Sequence, residues 1–215
     1  MTYLSSSSAF LFLATYFLGS IPFGLIWTRL FLKQDIRTVG SHNIGATNVL
    51  RTGNKQIAAL TLFCDALKGS LAVYLAFYLS EGLFEAGMLG LCGVVLGHIF
   101  PIWLGFKGGK GVATLAGGIL VLLPIVGVLA LLTWVIVFAI SRISSLSALI
   151  SIVGAPFCAA CFYPCPLCYK EFSCFSSFLL FIALCLLVLF RHSDNIERLV
   201  KGEEKPFKKN KGASK

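Results

Sequence analysis

Charged residues are scarce in this sequence: Asp, Glu, Lys and Arg make up 13% of its 215 residues, about half the share of an ordinary soluble domain. With 57% of residues hydrophobic, water is excluded as the main solvent. The sequence also lacks a basic segment ahead of the first apolar run and a small-residue cleavage site behind it. Those absences argue against a cleaved secretory signal and predict that the first run stays as a membrane span. Acidic residues are few as well, nine against eighteen Lys and Arg, for a formal net charge of +9. An excess of that size can mark a nucleic-acid binder. Here the cations lie in loops beside apolar stretches and in a C-terminal tail, so they read as topology signals and contacts to anionic membrane lipids. No nucleic-acid partner is expected.

What is present is a series of apolar stretches of roughly 20 residues, the length that crosses a hydrocarbon core. They fall at about 9–32, 56–80, 84–105, 112–141, 145–163 and 173–190. Six crossings would put both termini on one side. Loop one, however, carries Lys33, Arg37, Arg51 and Lys55, loop three carries Lys107 and Lys110, and the last segment carries Arg191, Arg198 and a run of lysines. All three belong on the cytoplasmic side, which requires an odd count. The long block from Val112 to Ser141 holds Pro124 and Gly127 near its middle, so it is read as two short helices of about 21 Å each. The expected fold is an all-α polytopic membrane protein with seven transmembrane helices, N-terminus outside and C-terminus cytoplasmic. Residues 1–204 form one membrane-embedded domain, and 205–215 a basic, disordered tail.

Asp65 and Lys68 are the charges left inside a span. They are three residues apart on one helical face, where pairing offsets an insertion cost of about 3 kcal/mol each. A pair that only holds helices together and a substrate contact are both open readings. Gly19, Ser20, Pro22 and Gly24 interrupt the first span, allowing close helix packing in preference to an opening for a ligand.

Under this topology three polar segments share one face. In Gly105-Phe-Lys-Gly-Gly-Lys-Gly-Val-Ala-Thr114, Gly108, Gly109 and Gly111 surround Lys110 directly before an apolar helix. Bare amides and a positive dipole end can there face a phosphate, the alternative being a flexible turn. The spacing is not that of a Walker loop. In Gly40-Ser-His-Asn-Ile-Gly-Ala-Thr-Asn-Val-Leu-Arg51, Ser41, Asn43, Thr47 and Asn48 offer hydrogen bonds, and Arg51 suits bidentate phosphate recognition. A solvated loop is the alternative. In Arg191-His-Ser-Asp-Asn-Ile-Glu-Arg198, His192 and Asn195 are neighbours on a helix leaving the last span. His192 can exchange a proton near neutral pH or serve as an interfacial anchor. His98, at the inner end of its span, ties down loop three or caps a helix.

Cys158, Cys161, Cys165 and Cys168 form two Cys-x-x-Cys pairs only three residues apart, against roughly 15 to 20 in common zinc modules. Buried thiols or a local disulfide are expected in preference to a metal.

Taken together, Gly19-Ser-x-Pro-x-Gly24, Gly40-Ser-x-Asn-x-Gly-Ala-Thr-Asn-x-x-Arg51, Gly97-His-x-x-Pro101, Phe106-x-Gly-Gly-Lys-Gly-Val-Ala-Thr114 and Arg191-His-x-x-Asn-Ile-x-Arg-Leu199 resemble the PlsY family of acyl-phosphate:glycerol-3-phosphate acyltransferases. The likeness covers almost the whole chain. It implies a seven-helix enzyme of the bacterial inner membrane, active at the cytoplasmic face. Such an enzyme takes acyl phosphate and glycerol 3-phosphate, makes 1-acyl-sn-glycerol 3-phosphate and releases phosphate, the first acylation of phospholipid synthesis. It also implies functional coupling to an enzyme that produces acyl phosphate. By the same resemblance Ser41, Thr47, Asn48, Arg51, Lys110, Ser145, His192 and Asn195 would line the site, with Lys68 nearby and Glu204 completing the last motif. Asp65, His98 and Glu204 are expected to be structural.

An acyl phosphate is already activated, so no cofactor and no covalent intermediate is required; the protein must neutralise phosphate and hold the hydroxyl to the carbonyl. His192 and the departing phosphate are the two candidate proton acceptors, the phosphate being preferred. A carrier for an organic phosphate is the competing class, weakened by the missing internal repeat and by polar clusters lying at one face. A lipid-binding scaffold is a third.

Overall fold

The computed structural model describes residues 6–163 and 172–207. Ten α-helices form among these residues: α1 (Ser6–Gly19), α2 (Phe23–Leu32), α3 (Ala46–Arg51), α4 (Lys55–Leu79), α5 (Phe84–Ile99), α6 (Val112–Leu122), α7 (Pro124–Ser141), α8 (Ser144–Phe162), α9 (Phe172–Phe190) and α10 (Ser193–Val200). Their limits follow local chemistry. Pro22 cannot donate a backbone hydrogen bond, so the first apolar run breaks into α1 and α2 around it. The Asn54 side chain accepts from the N–H of Ile57 at 3.0 Å and starts α4. Pro124 occupies the first turn of α7, where its missing N–H costs nothing.

The break expected near Pro124 is present but uneven. Because the proline begins a helix, Gly127 falls inside α7 instead of at the turn. The two helices have 11 and 18 residues, about 16 and 27 Å long instead of 21 Å each.

Among the described residues, five segments are long and apolar enough to cross a membrane: Ser8–Leu32, Lys55–Leu79, Phe84–Leu104, Pro124–Ser141 and Ser144–Phe162. A sixth is counted if α9 and α10, bent by 57°, form one span, and α6 is a shorter apolar helix beside them. The protein is thus an all-helical, multi-span membrane protein.

At the centre, α5 packs against α1, α4, α6 and α9, and most of it is buried, including Leu91, Val94 and Val95. Its approach to α1 is backbone on backbone. A Cβ at Gly97 would lie 2.1 Å from the Tyr16 carbonyl oxygen and 2.8 Å from the Ser20 nitrogen, so the interruptions in the first span serve packing. In contrast, α7 leans on α6 and α8 at the periphery. Past residue 204 the chain remains folded: the N–H of Phe207 donates to the Arg142 carbonyl at 2.9 Å, and its ring meets Phe138 edge-on. The tail boundary expected at 205 therefore moves outward, and 208–215 lie outside the described residues.

Gly97→Val should force α1 away from α5. The expected loss is about 1–3 kcal/mol, the usual cost of overpacking, read as a lower unfolding temperature in detergent micelles.

Candidate active site

Asn48 organises loop one. Its amide nitrogen lies within 3.1 Å of the carbonyls of Ile36, Val39 and Asn43, and its oxygen accepts from the N–H of Ser41 at 2.9 Å. The side chain is fully engaged, so it holds the loop and has no donor left for a ligand. Asn43 Oδ1 accepts from the Gly45 N–H, and Thr47 Oγ1 pairs with Ser144 Oγ at 3.1 Å, joining α3 to the start of α8. Arg51 leaves the last turn of α3 toward Glu204, 4.0 Å away.

Glu204 is the second hub. Its Oε1 accepts from Ser145 Oγ and Asn195 Nδ2, both at 2.8 Å, and its Oε2 meets Arg198 Nε at 2.6 Å. Burial alone would raise this carboxyl, but the hydrogen bonds from Arg198, Ser145 and Asn195 outweigh it and hold the group below its ordinary range. Lys110 donates to Asn195 Oδ1. Burial, with help from the charge of Arg198, brings the Lys110 ammonium down to about 8.

His192 is buried, and its Nδ1 lies 2.7 Å from the Val188 carbonyl. A carbonyl only accepts, so Nδ1 carries the proton and the neutral ring keeps its lone pair on Nε2. Burial brings its pKa down to about 4, so the ring is neutral at physiological pH.

The loop before α6 differs from the expected nest. The N–H groups of Gly108 and Gly109 already donate to the carbonyls of Ile99 and His98, both at 3.0 Å. Neither residue lines the cavity described below. The free amides are those of the first turn of α6, reached through Gly111, whose φ of +87° suits a residue without a side chain. His98 thus anchors the loop through its carbonyl.

Lys68 also departs from the expected substrate contact. Its Nζ donates to the Ile21 carbonyl at 2.9 Å and lies 2.9 Å from Asp65 Oδ1. The Ile21 carbonyl, at the break before Pro22, thus takes the Lys68 charge beside the N–H of Phe23, which donates to it at 3.1 Å. His98 Nδ1 lies 3.6 Å from the same carboxylate oxygen. Lys68 does not line the cavity, whereas Asp65 and His98 touch its wall.

The cavity has a volume of about 430 Å3. At one end Ser41, Asn43, Thr47, Asn48, Arg51, Lys110, Gly111, Ser145, His192, Asn195 and Glu204 converge on it. The other end runs between apolar side chains of α6, α7 and α8, including Ile119, Leu131 and Ile152. A smaller cavity of about 170 Å3 shares Ser41, Asn43, Lys110 and Asn195, and adds Arg191, Ser193, Asp194 and Arg198. Sequence reasoning takes Arg191 and Arg198 only as topology and motif residues, and does not single out Ser193 or Asp194. The signal for them is the recurrence of polar residues at 191, 194, 195 and 198, one helical face. Around the two cavities Arg51, Lys110, Arg191, Arg198 and Lys205 face Asp65, Asp194 and Glu204, five cations against three carboxylates. The excess of positive charge suits phosphate.

Cys158 and Cys161 are free thiols, and Cys165 and Cys168 lie outside the described residues.

A bundle of apolar helices around a pocket that is cationic at one end and greasy along the rest defines an integral membrane protein for an amphipathic, phosphate-bearing ligand. The family model for glycerol-3-phosphate acyltransferase matches residues 9–202, and the chain belongs to that family. A glycerol-3-phosphate acyltransferase of Caulobacter vibrioides (strain NA1000 / CB15N) is 50% identical over 201 residues, covering 92% of this chain and 87% of that protein. One of Bartonella henselae is 45% identical over 196 residues, covering 90% and 89%. The crystal structure of PlsY (YgiH), an integral membrane glycerol 3-phosphate acyltransferase, is similar in its glycerol 3-phosphate form. The TM-score is 0.84 at 34% identity, covering 94% of this chain and 96% of that one. Its lysophosphatidic acid form gives 0.81. These relatives do not favour the carrier reading.

Two outcomes are expected from this geometry. Asp65→Asn should leave Lys68 buried without its counter-charge and cost about 3–5 kcal/mol, whereas Asp65→Leu with Lys68→Met should cost less; unfolding in detergent measures both. Because Lys110 loses its charge as pH rises through about 8, phosphate affinity should be greatest between the ester's own second pKa of about 6 and that value, and fall above it by up to about tenfold per unit. Equilibrium dialysis with labelled glycerol 3-phosphate reads the loss.

Proposed function

We propose that this acyltransferase of phospholipid synthesis takes its acyl group from an acyl phosphate and passes it to glycerol 3-phosphate. The products are 1-acyl-sn-glycerol 3-phosphate and inorganic phosphate. The observation that carries the proposal is the single cavity joining a cationic, hydrogen-bonding end to an apolar limb, which matches a lipid whose reactive group bears phosphate.

Lys110, Arg51 and the first amides of α6 bind phosphate. Ser41, Asn43, His192 and Asn195 place the glycerol phosphate, while Thr47, Asn48, Ser145 and Glu204 hold these groups in position. The glycerol hydroxyl attacks the acyl carbonyl, the bond from that carbon to the phosphate oxygen breaks, and phosphate leaves with the electron pair. Neutralising two phosphates lets the reactants meet, and the fixed donors stabilise the charge that develops. His192, held near 4, is a weak base. Phosphate, with a second pKa of about 6 for its esters, is the better proton acceptor, so the departing phosphate carries the proton away.

Seven crossings, counting α6 and α7 separately and α9 as the last, put every cation-rich loop on the cytoplasmic side of a bacterial inner membrane, with the N-terminus outside. The site then faces soluble glycerol 3-phosphate, with acyl phosphate arriving from the inner leaflet and from the enzyme that makes it.

The test is purified protein in lipidic mesophase, supplied with both substrates and followed for phosphate and lysophosphatidate. Lys110→Ala should lower kcat/KM by about 10²–10³-fold, as removal of one transition-state donor does elsewhere. Arg51→Lys should retain charge but lose paired contacts and raise KM for glycerol 3-phosphate. A folded wild type that forms no lysophosphatidate would overturn the proposal.

A further inference from the structure

The apolar limb has a defined depth. On α8 the residues facing it are Ala148, Ser151, Ile152 and Ala155, spaced as one helix face. Three of the four are small, and the Ser151 hydroxyl is turned to the Ser147 carbonyl at 2.9 Å, so it adds no free polar group. From Ser144, beside the cations, to Ala155 the helix rises about 16 Å, close to half of a hydrocarbon core of about 30 Å. The deepest lining residues on the other helices are Ile119 of α6 and Ala130 of α7. Beyond them Leu122 and Leu123 of the elbow between α6 and α7, Val126 of α7 and Ala159 of α8 are buried, and none of the four lines the limb. The lining of the limb therefore stops near mid-membrane on all three helices.

We propose that Ala155 is the stop of a chain-length gauge, and that the small side chains at Ala148 and Ala155 set the longest acyl chain the enzyme uses well. The inference rests on the reading that this limb receives the chain of an acyl phosphate. A methyl at Ala155 leaves room at the floor of the limb; a larger side chain there raises the floor without touching the cations some 16 Å away. The last carbons of a long chain are then refused, while a shorter chain is bound as before. Filling Ala148, two turns nearer the phosphate end, shortens the limb further.

The test measures kcat/KM with acyl phosphates of twelve, fourteen, sixteen and eighteen carbons for the wild type, Ala155→Val, Ala155→Phe and Ala148→Leu. A methylene that no longer fits stays in hydrocarbon, so crowding and not transfer to water sets the loss. Ala155→Phe should lose about tenfold or more with chains above its new limit, keeping the twelve-carbon rate within about twofold of wild type. Ala155→Val should shift the profile less in the same direction, and Ala148→Leu should move the limit to shorter chains. Losses equal at every chain length, or an unchanged profile in variants that unfold at the wild-type temperature, would overturn the gauge alone. A wild type inactive with every chain length would overturn the donor reading and the gauge together.

Discussion

Glu204 ties the functional end of the molecule together. Its two oxygens reach Ser145 of α8, Asn195 and Arg198 of α10, and approach Arg51 of α3; through Asn195 the tie extends to Lys110 before α6. A cluster of cations in a partly dry site repels itself, and one buried carboxylate relieves part of that repulsion while fixing where each partner points. The relief is incomplete. On the proposed reading the charge left over attracts phosphate, and the donors that would receive it are already oriented, so little reorganisation would remain for the reaction step.

A second ionic tie lies deeper, and its logic is different. Asp65 and Lys68 sit inside the bundle, where each alone would be expensive. The break at Pro22 exposes the Ile21 carbonyl, and Lys68 answers it while pairing with Asp65. The interruption of the first span and the charged pair in α4 thus meet at one carbonyl, which accepts from the Phe23 N–H at 3.1 Å and from Lys68. His98 touches the same carboxylate and, by its carbonyl, fixes Gly109. The glycine loop that presents Lys110 is therefore braced from within the membrane.

Much of this was legible in the sequence. Hydropathy and the placement of lysine and arginine located the apolar segments, and the polar runs beginning at Gly40, Gly105 and Arg191 do converge on one cavity. What the residues could not reveal was which partner each polar group would meet. Gly108 and Gly109 look like free amides until the carbonyls of His98 and Ile99 are found opposite them. Asn48 looks like a ligand group until its four backbone contacts are counted. Lys68 looks available until the broken span lies against it. Each of these depends on contacts between residues far apart in the chain. Local pattern carries no signal for them, whereas the apolar runs are local and mark the long helices of the structure.

The two ends of the cavity require different solvents, and that requirement explains the position of the site. A phosphate must remain where cations and amides can replace its water, whereas a long acyl chain is best kept in an apolar groove, at about 0.8 kcal/mol for each methylene removed from water. A site at mid-membrane would force the soluble substrate through hydrocarbon; a site wholly in water would expose the chain. Placing the loops at the helix ends and the groove between α6, α7 and α8 meets both demands without moving either substrate far from its own phase. The short α6 contributes to this directly on the proposed reading, because the helix whose first turn would offer amides to phosphate has its apolar residues Leu115 and Ile119 along the groove.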